Sequence, residues 1–239
     1  MNGSLAIARR ELSAFFNSPI AYIVLCGFLL VAGWLYFSTL FLGGQASLRG
    51  FFSIAPVLFV VFAPAVTMRL IAEEKKAGSL ELLLTWPLEE WQVVLGKFAA
   101  ALGLVAVGLA FTLPYAFTVS SLTAQPGTFD WGPVVGGYVG LLLMAASFLA
   151  VGLWASAVSK NQIVAFIAGL LLCFALYFVD KVAPLFPDAI AGLLQYLSVD
   201  YHFENVARGV LDTRDLLFYA SLTAGALLLT TRTLAAARR

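Results

Sequence analysis

Six long apolar runs constrain the fold of this chain more than any other feature. They cover about residues 20–42, 51–70, 95–121, 133–157, 162–180 and 215–231, and the last is the shortest. A helix that crosses the hydrocarbon core of a bilayer needs about 17–25 mostly apolar residues. We therefore predict an all-α integral membrane protein with six transmembrane helices, which form a single transmembrane domain over residues 1–239.

The composition supports this class. The 239 residues are 62% hydrophobic and 11% charged, whereas soluble domains are about 25% charged. A soluble chain of this length could not cover so much apolar surface. The formal net charge of +1 gives no indication of nucleic acid as a partner, so the partner that the composition predicts is the lipid membrane.

The first residues predict a helix of a different kind. Ser18 followed by Pro19 is a typical helix start and opens the first apolar run. Before it, one apolar face at helical spacing consists of Leu5, Ala8, Leu12, Phe15 and Phe16, and the charged residues Arg9, Arg10 and Glu11 lie off that face. This pattern predicts an amphipathic helix on the membrane surface.

The distribution of lysine and arginine predicts the orientation, because cytoplasmic loops carry an excess of them. With both termini in the cytoplasm, that side holds Arg9, Arg10, Arg69, Lys75, Lys76, Lys97, Lys160, Arg232, Arg238 and Arg239, and the outside holds Arg49, Lys181, Arg208 and Arg214. The outer segment 181–214 contains Pro184 and Pro187. We expect one or two short interfacial helices there, with an ordinary loop as the alternative.

The predicted spans carry no ionisable residue at their centres. Such residues usually mark proton relays, ion paths or voltage sensors, so the sequence argues against a proton-coupled carrier or a charged-filter channel. It also predicts no catalytic residue and no metal site. His202 is the only histidine and has no second histidine nearby, so we interpret it as structural.

The charge of the chain concentrates between the second and third runs. Residues 72–97, AEEKKAGSLELLLTWPLEEWQVVLGK, hold eight of the 27 charged residues. At about 100° per residue, a helix over residues 79–86 places Glu81 and Thr85 on a polar face, and its leucines with Trp86 on a wide apolar arc. Gly78 allows a turn into this helix and Pro87 ends it. So wide an arc predicts two partners, the membrane domain and a cytoplasmic protein.

The same stretch resembles the signature of permease subunits of ABC transporters of the ABC-2 class. The matching residues are Glu74, Gly78, Ser79, Glu81, Leu82, Leu83, Pro87, Gly96 and Lys97. A second patch, residues 202–234, is similar to the end of the gliding-motility-associated and nitrous-oxide-reductase-maturation permeases. Together with the six-span plan, the two patches cover nearly the whole chain.

This resemblance implies a short cytoplasmic coupling helix that sits in a cleft of a separate ATP-binding subunit. The interface residues that it implies are Glu73, Glu74, Gly78, Ser79, Glu81, Leu82 and Trp86. The chain lacks the pattern G-x-x-x-x-G-K-[ST], so ATP and magnesium would bind to the partner ATPase and no cofactor to this chain. The resemblance also implies a second permease chain, identical or related, an accessory protein on the outer face, and a bacterial inner membrane.

Two readings from other classes stay open at this point. One is a membrane scaffold or assembly factor that recruits a cytoplasmic partner through the same loop without transport. The other is an ATP-independent channel or lipid scramblase. The sequence specifies neither the substrate nor the direction of transport.

Overall fold

The computed structural model describes residues 3–43, 47–78, 89–122, 130–210 and 212–237, and every regular element in these ranges is helical. The α-helices are α1 (Gly3–Phe16), α2 (Pro19–Gly43), α3 (Arg49–Thr67), α4 (Ala72–Ala77), α5 (Glu90–Ala110), α6 (Leu113–Leu122), α7 (Trp131–Val158), α8 (Gln162–Val182), α9 (Asp188–Leu197), α10 (Val199–Ala207) and α11 (Thr213–Ala237). A 3₁₀ turn, Ala183–Leu185, joins α8 to α9. The all-α prediction is confirmed.

Within the described ranges, five helical segments are long and apolar enough to cross a membrane. They are Pro19–Gly43, Arg49–Ala77, Glu90–Leu122, Trp131–Val158 and Gln162–Leu185, and they coincide with the first five predicted spans. The sixth run lies in α11, which has 25 residues. Its hydroxyl groups and charged ends make α11 less apolar than the other five, so the count of six spans stays a prediction.

Helix α7 is the centre of the bundle and packs against α3, α5, α8, α10 and α11. Leu141, Met144 and Phe148 on this helix are fully buried. Gly136 and Gly140, which have the spacing Gly-x-x-x-Gly, lie against α10: a Cβ added to Gly140 would stand 3.0 Å from the Phe203 ring. The small residues therefore pack two helices of this chain together.

Helix α1 forms as predicted, and Leu12, Phe15 and Phe16 of its predicted apolar face pack against the core. The rest of the inward side differs from the prediction. Ile7 and Phe15 are buried and Glu11 points inward between them, whereas Leu5 is 64% exposed. The physical reason is the partner surface. Helix α1 packs along α5, which offers a glycine opposite Ile7 and a lysine opposite Glu11. The ion pair with Lys97 therefore turns Glu11 inward, although the apolar periodicity placed it off the buried face.

Two short helices, α9 and α10, follow α8, so the prediction for the segment 181–214 is confirmed in its helical form. His202 lies on α10 and is buried. Its Nδ1 is 2.6 Å from Asp215 Oδ1 and its Nε2 is 3.0 Å from the Tyr196 carbonyl oxygen. The ring also stacks on Phe218. The histidine thus ties α9, α10 and α11 together.

Candidate coupling site

The structure describes both ends of the charged loop but not its centre. Among the residues predicted to contact an ATPase, Glu73, Glu74 and Gly78 lie in the described ranges. The predicted helix over residues 79–86, with Ser79, Glu81, Leu82 and Trp86, lies outside the described residues.

The first end of the loop is fixed to the end of α7 through Ser156. This buried hydroxyl accepts hydrogen bonds from the backbone N–H groups of Ile71 and Ala72, at 3.2 and 3.0 Å, and donates to the Met68 carbonyl oxygen at 3.0 Å. The Lys75 ammonium donates to the Ala157 carbonyl oxygen. Buried backbone groups need such partners. The chain can therefore leave α3, turn and start α4 while it remains attached to the core.

Helix α4 ends at Gly78, where the sequence predicts a turn. Gly78 adopts φ 69° and ψ 1°, which is the left-handed conformation, and its N–H bonds to the Lys75 carbonyl oxygen at 3.4 Å. A residue with a Cβ is disfavoured in this conformation. Glycine at this position therefore determines the direction in which the loop departs.

The second end of the loop enters α5 through a polar start. The Glu89 N–H donates to the Gln92 side-chain oxygen at 3.4 Å. The Trp91 indole N–H donates to a Glu89 carboxylate oxygen. The contact with Gln92 satisfies a backbone N–H group at the start of the helix, where the first N–H groups have no partner within the helix. The loop therefore re-enters the bundle at a defined residue.

A cluster of four charges connects the two ends to α1. The Lys97 ammonium on α5 lies 2.7 Å from Glu74 Oε1 and 3.1 Å from Glu11 Oε1. Arg10 lies 2.6 Å from Glu11 and 3.6 Å from Glu74. The Lys97 side chain is only 1% exposed. We call Arg10, Glu11, Glu74 and Lys97 the four-charge cluster.

The charges in this cluster compensate one another. A buried ammonium is tolerated only when it is paired and hydrogen-bonded, and Lys97 has a carboxylate from each of two other helices. Burial works to raise the pKa of the Glu11 carboxyl, yet the Lys97 ammonium and the Arg10 guanidinium together hold it below its ordinary value of 4.5. Glu11 is therefore ionised at neutral pH, and the cluster holds two cations and two anions.

The backbones of α1 and α5 approach each other closely beside the cluster. A Cβ added to Gly96 would stand 2.7 Å from Ile7 Cβ and 2.8 Å from the Ser4 carbonyl oxygen. At the other end of α1, the Arg69 guanidinium lies over the Phe15 ring at 5.2 Å from its centroid. Cation–π contacts of this kind favour a fixed orientation. Helix α1 is thus attached to the residues on both sides of the loop.

Sequence reasoning identified part of this cluster and missed the rest. The motif includes Glu74 and Lys97 but does not predict that they form an ion pair. The helical pattern places Glu11 off the apolar face of α1. One signal was present in the sequence. Lys97 is a lone charge just inside an apolar run, and such a charge needs a carboxylate from another element. Nothing in the sequence specified that the second carboxylate comes from residue 11.

The described residues contain no group of three or more histidine, cysteine, aspartate or glutamate side chains that could hold a metal ion. In the four-charge cluster, the carboxylates of Glu11 and Glu74 form ion pairs with Lys97 and Arg10. Its chemistry is that of an electrostatic clamp between helices.

Among the described residues, five membrane-length helices, of which α7 is buried at the centre, and a loop whose base is held by ion pairs define a multi-pass helical membrane protein. A family model described as ABC-2 family transporter protein matches residues 5–234. The chain therefore belongs to the ABC-2 family of membrane transport components, as the resemblance of the charged stretch indicated. No curated protein matches the chain significantly.

Proposed function

We propose that this chain is the permease subunit that couples a separate cytoplasmic ATPase to the movement of cargo, or of a partner protein, across the membrane. The contact is the loop of residues 79–88, with Ser79, Glu81, Leu82 and Trp86 facing the ATPase and Glu73, Glu74 and Gly78 at the base of the loop. ATP and magnesium belong to that partner.

The observation that carries this proposal is the four-charge cluster. A loop that transmits a push must be attached rigidly to the helices it moves. The cluster joins α4, α5 and α1 through contacts of 2.6–3.6 Å, and Ser156 joins the same loop to α7. A displacement of the loop would therefore reach four helices at once.

The family membership supports a second permease chain, because ABC transporters pair two membrane halves and this chain supplies one. We propose that both termini are cytoplasmic and that the membrane is a bacterial inner membrane. The excess of lysine and arginine on the loop side supports this orientation. The similarity of residues 202–234 to gliding-motility-associated and nitrous-oxide-reductase-maturation permeases supports that branch, and with it an accessory protein on the outer face.

The first experiment is purification of the tagged chain from its native membrane in mild detergent, with mass spectrometry of the proteins that co-purify. We expect a stoichiometric subunit that carries the sequence G-x-x-x-x-G-K-[ST]. If the chain is purified alone, and ATPase activity in its membranes does not depend on it, the scaffold or scramblase interpretation replaces this one.

A matched pair of variants then tests the loop itself. Leu82→Arg introduces a charge on the predicted apolar arc, and Thr85→Arg introduces the same charge on the predicted polar face. We expect Leu82→Arg to abolish recovery of the ATPase or its substrate-stimulated activity, while Thr85→Arg retains both and the two variants melt alike. Equal, normal activity of both variants would show that Leu82 is not at the interface.

A further inference from the structure

A polar cavity lies at the end of the bundle opposite the charged loop. Its volume is about 560 Å³, within the range of about 300–1,000 Å³ that ligand pockets occupy. Its walls come from the first turns of α3 and α7, the last turns of α8, and α10. Because α3 runs from this cavity at Arg49 to the loop after Thr67, the cavity and the four-charge cluster lie at opposite ends of one helix.

The carboxylates that line the cavity already have cations beside them. Asp200 lies 2.8 Å from the Lys181 ammonium, which also contacts Asp180 at 2.9 Å. Glu204 lies 3.4 Å from the Arg208 guanidinium, one helical turn away. Each carboxylate that lines the cavity is therefore paired with a cation, although Lys181 serves Asp180 as well as Asp200.

Arg49 is different from the other two cations in the cavity wall. It lines the cavity from the first residue of α3, and among the described residues its guanidinium forms no ion pair. The residues that line the cavity include three cations and two carboxylates, and Arg49 is the lining cation without an ion pair among the described residues. Guanidinium groups favour phosphate and carboxylate in a two-point contact.

Apolar side chains make up much of the remaining wall. Phe52, Phe203, Pro133 and Ala207 line the cavity together with Ser53 and Tyr177. A cavity lined by a guanidinium and by aromatic rings suits a molecule with one acidic group and an apolar body. Small inorganic anions would leave this apolar wall uncovered.

We propose that this cavity is a binding site for an anionic amphiphile, whose phosphate or carboxylate is held by Arg49 and whose apolar body lies against Phe52 and Phe203. The site is independent of the contact with the ATPase. Two sources can supply the anionic group, an anionic lipid or a free anion, and they share the Arg49 contact.

The test uses the full chain, purified in an uncharged detergent, and three probes. Dihexanoyl phosphatidylglycerol carries a phosphate and an apolar body, inorganic phosphate carries the anion alone, and dihexanoylglycerol carries the apolar body alone. Binding of each probe is measured by isothermal titration calorimetry. The variants are Arg49→Gln and, as a matched control, Arg214→Gln, which removes an exposed arginine that does not line the cavity.

We expect the phosphatidylglycerol probe to bind to the unmodified chain and to Arg214→Gln with the same Kd, and to Arg49→Gln with a Kd higher by about tenfold or more, since a charge-assisted contact is lost. The neutral probe should bind weakly to all three. If inorganic phosphate binds with the same dependence on Arg49, the site accepts a free anion.

Three results would overturn the proposal: no binding of either anion, equal binding of the neutral and anionic lipids, or equal weakening in the two arginine variants. Melting of Arg49→Gln without ligand establishes that the variant is folded. If Arg49→Gln does not fold, Arg49→Lys is used instead, because it keeps the charge but loses the two-point geometry. We then expect a Kd between those of the unmodified chain and a chain without the charge. A Kd equal to that of the unmodified chain would contradict the role of the guanidinium.

Discussion

The Lys97 ammonium lies 2.7 Å from Glu74 Oε1, although the two residues are 23 positions apart and the whole charged loop lies between them. This ion pair closes the loop at its base. Glu11 adds a third helix to the same ammonium at 3.1 Å. The part of the chain that would contact an ATPase therefore begins and ends at one buried charge, and α1 is attached to that charge as well.

Replacing Lys97 tests whether the cluster holds this base together. Lys97→Met leaves Glu11 and Glu74 facing each other in a buried site, and breaking a buried ion pair in this way costs about 3–5 kcal/mol. We expect a lower melting temperature of the purified chain in detergent. Lys76→Met, which removes an exposed lysine of α4, should melt like the unmodified chain.

The triple variant Lys97→Met, Glu11→Gln, Glu74→Gln separates charge from shape in the same assay. Removing the two carboxylate charges together with the lysine should restore part of the lost stability, because no uncompensated charge remains buried. A melting temperature for Lys97→Met equal to that of the unmodified chain would contradict a stabilising role of the cluster.

The close approach of α1 and α5 gives a second prediction. In Gly96→Ala the new methyl group would stand 2.7 Å from Ile7 Cβ, and such overpacking costs about 1–3 kcal/mol. We expect α1 to detach more often, so that trypsin cleaves after Arg9 and Arg10 at least about fivefold faster.

Gly103→Ala is the matched control on the same helix. There the added Cβ would lie 3.6 Å from Leu12 Cδ1, which is an ordinary contact. Its cleavage rate should equal that of the unmodified chain, and equal acceleration in both variants would show that the tight contact at Gly96 is not what holds α1.

The ionisation of Glu11 predicts how the docking of α1 depends on pH. Because the pKa of Glu11 is lower in the folded protein than its ordinary value of 4.5, ionised Glu11 stabilises docking above that value, and the stabilisation is lost as the pH falls through the folded pKa. Hydrogen exchange of the α1 amides, corrected for intrinsic rates, should stay slow from pH 7 to about pH 5 and accelerate below about pH 4.

Glu11→Gln is the control for this titration. Its α1 should exchange faster than that of the unmodified chain at pH 7 and should show little further change on acidification. The same steep acceleration in both proteins would assign the pH dependence to another group.

The sequence was sufficient for the features that depend on hydropathy and local chain geometry. Runs of apolar residues predicted six spans, five of which coincide with membrane-length helices of the described residues, and the identity of residue 78 as glycine predicted a turn there. These features are determined within a few residues of chain. The short helices between Pro187 and Arg208 were also predictable, because the prolines interrupt a run too short to span a bilayer.

Contacts between distant segments could not be predicted in the same way. Periodicity placed Glu11 on the polar side of α1, and only the position of Lys97 on α5 explains why it points inward. The partner of His202 was missed for the same reason, since Asp215 lies on another helix. Apolar periodicity indicates which side of a helix avoids water, but pairing of buried charges depends on which helices become neighbours.

The left-handed end of α4 gives the last prediction, which concerns transmission of force rather than stability. Gly78 has φ 69°, and no atom of the described residues lies within 4 Å of an added Cβ. Gly78→Ala therefore costs only the backbone strain, about 1–2 kcal/mol, whereas Gly78→Pro fixes φ near −65° and removes the N–H that bonds to Lys75. Gly192→Ala is the control, because Gly192 lies inside a helix in equally open surroundings.

With the permease and its ATPase reconstituted together, substrate-stimulated ATPase activity should be unchanged in Gly192→Ala, reduced in Gly78→Ala and lost in Gly78→Pro. Because Gly78 lies at the surface, this strain acts at the end of α4, and the melting temperature of the isolated permease should fall by no more than a few degrees in either Gly78 variant. If Gly78→Pro stimulates the ATPase normally, the direction in which the loop leaves α4 is unimportant for coupling. A turn that merely connects two helices would tolerate the change, whereas a turn that orients a contact for a second protein would not.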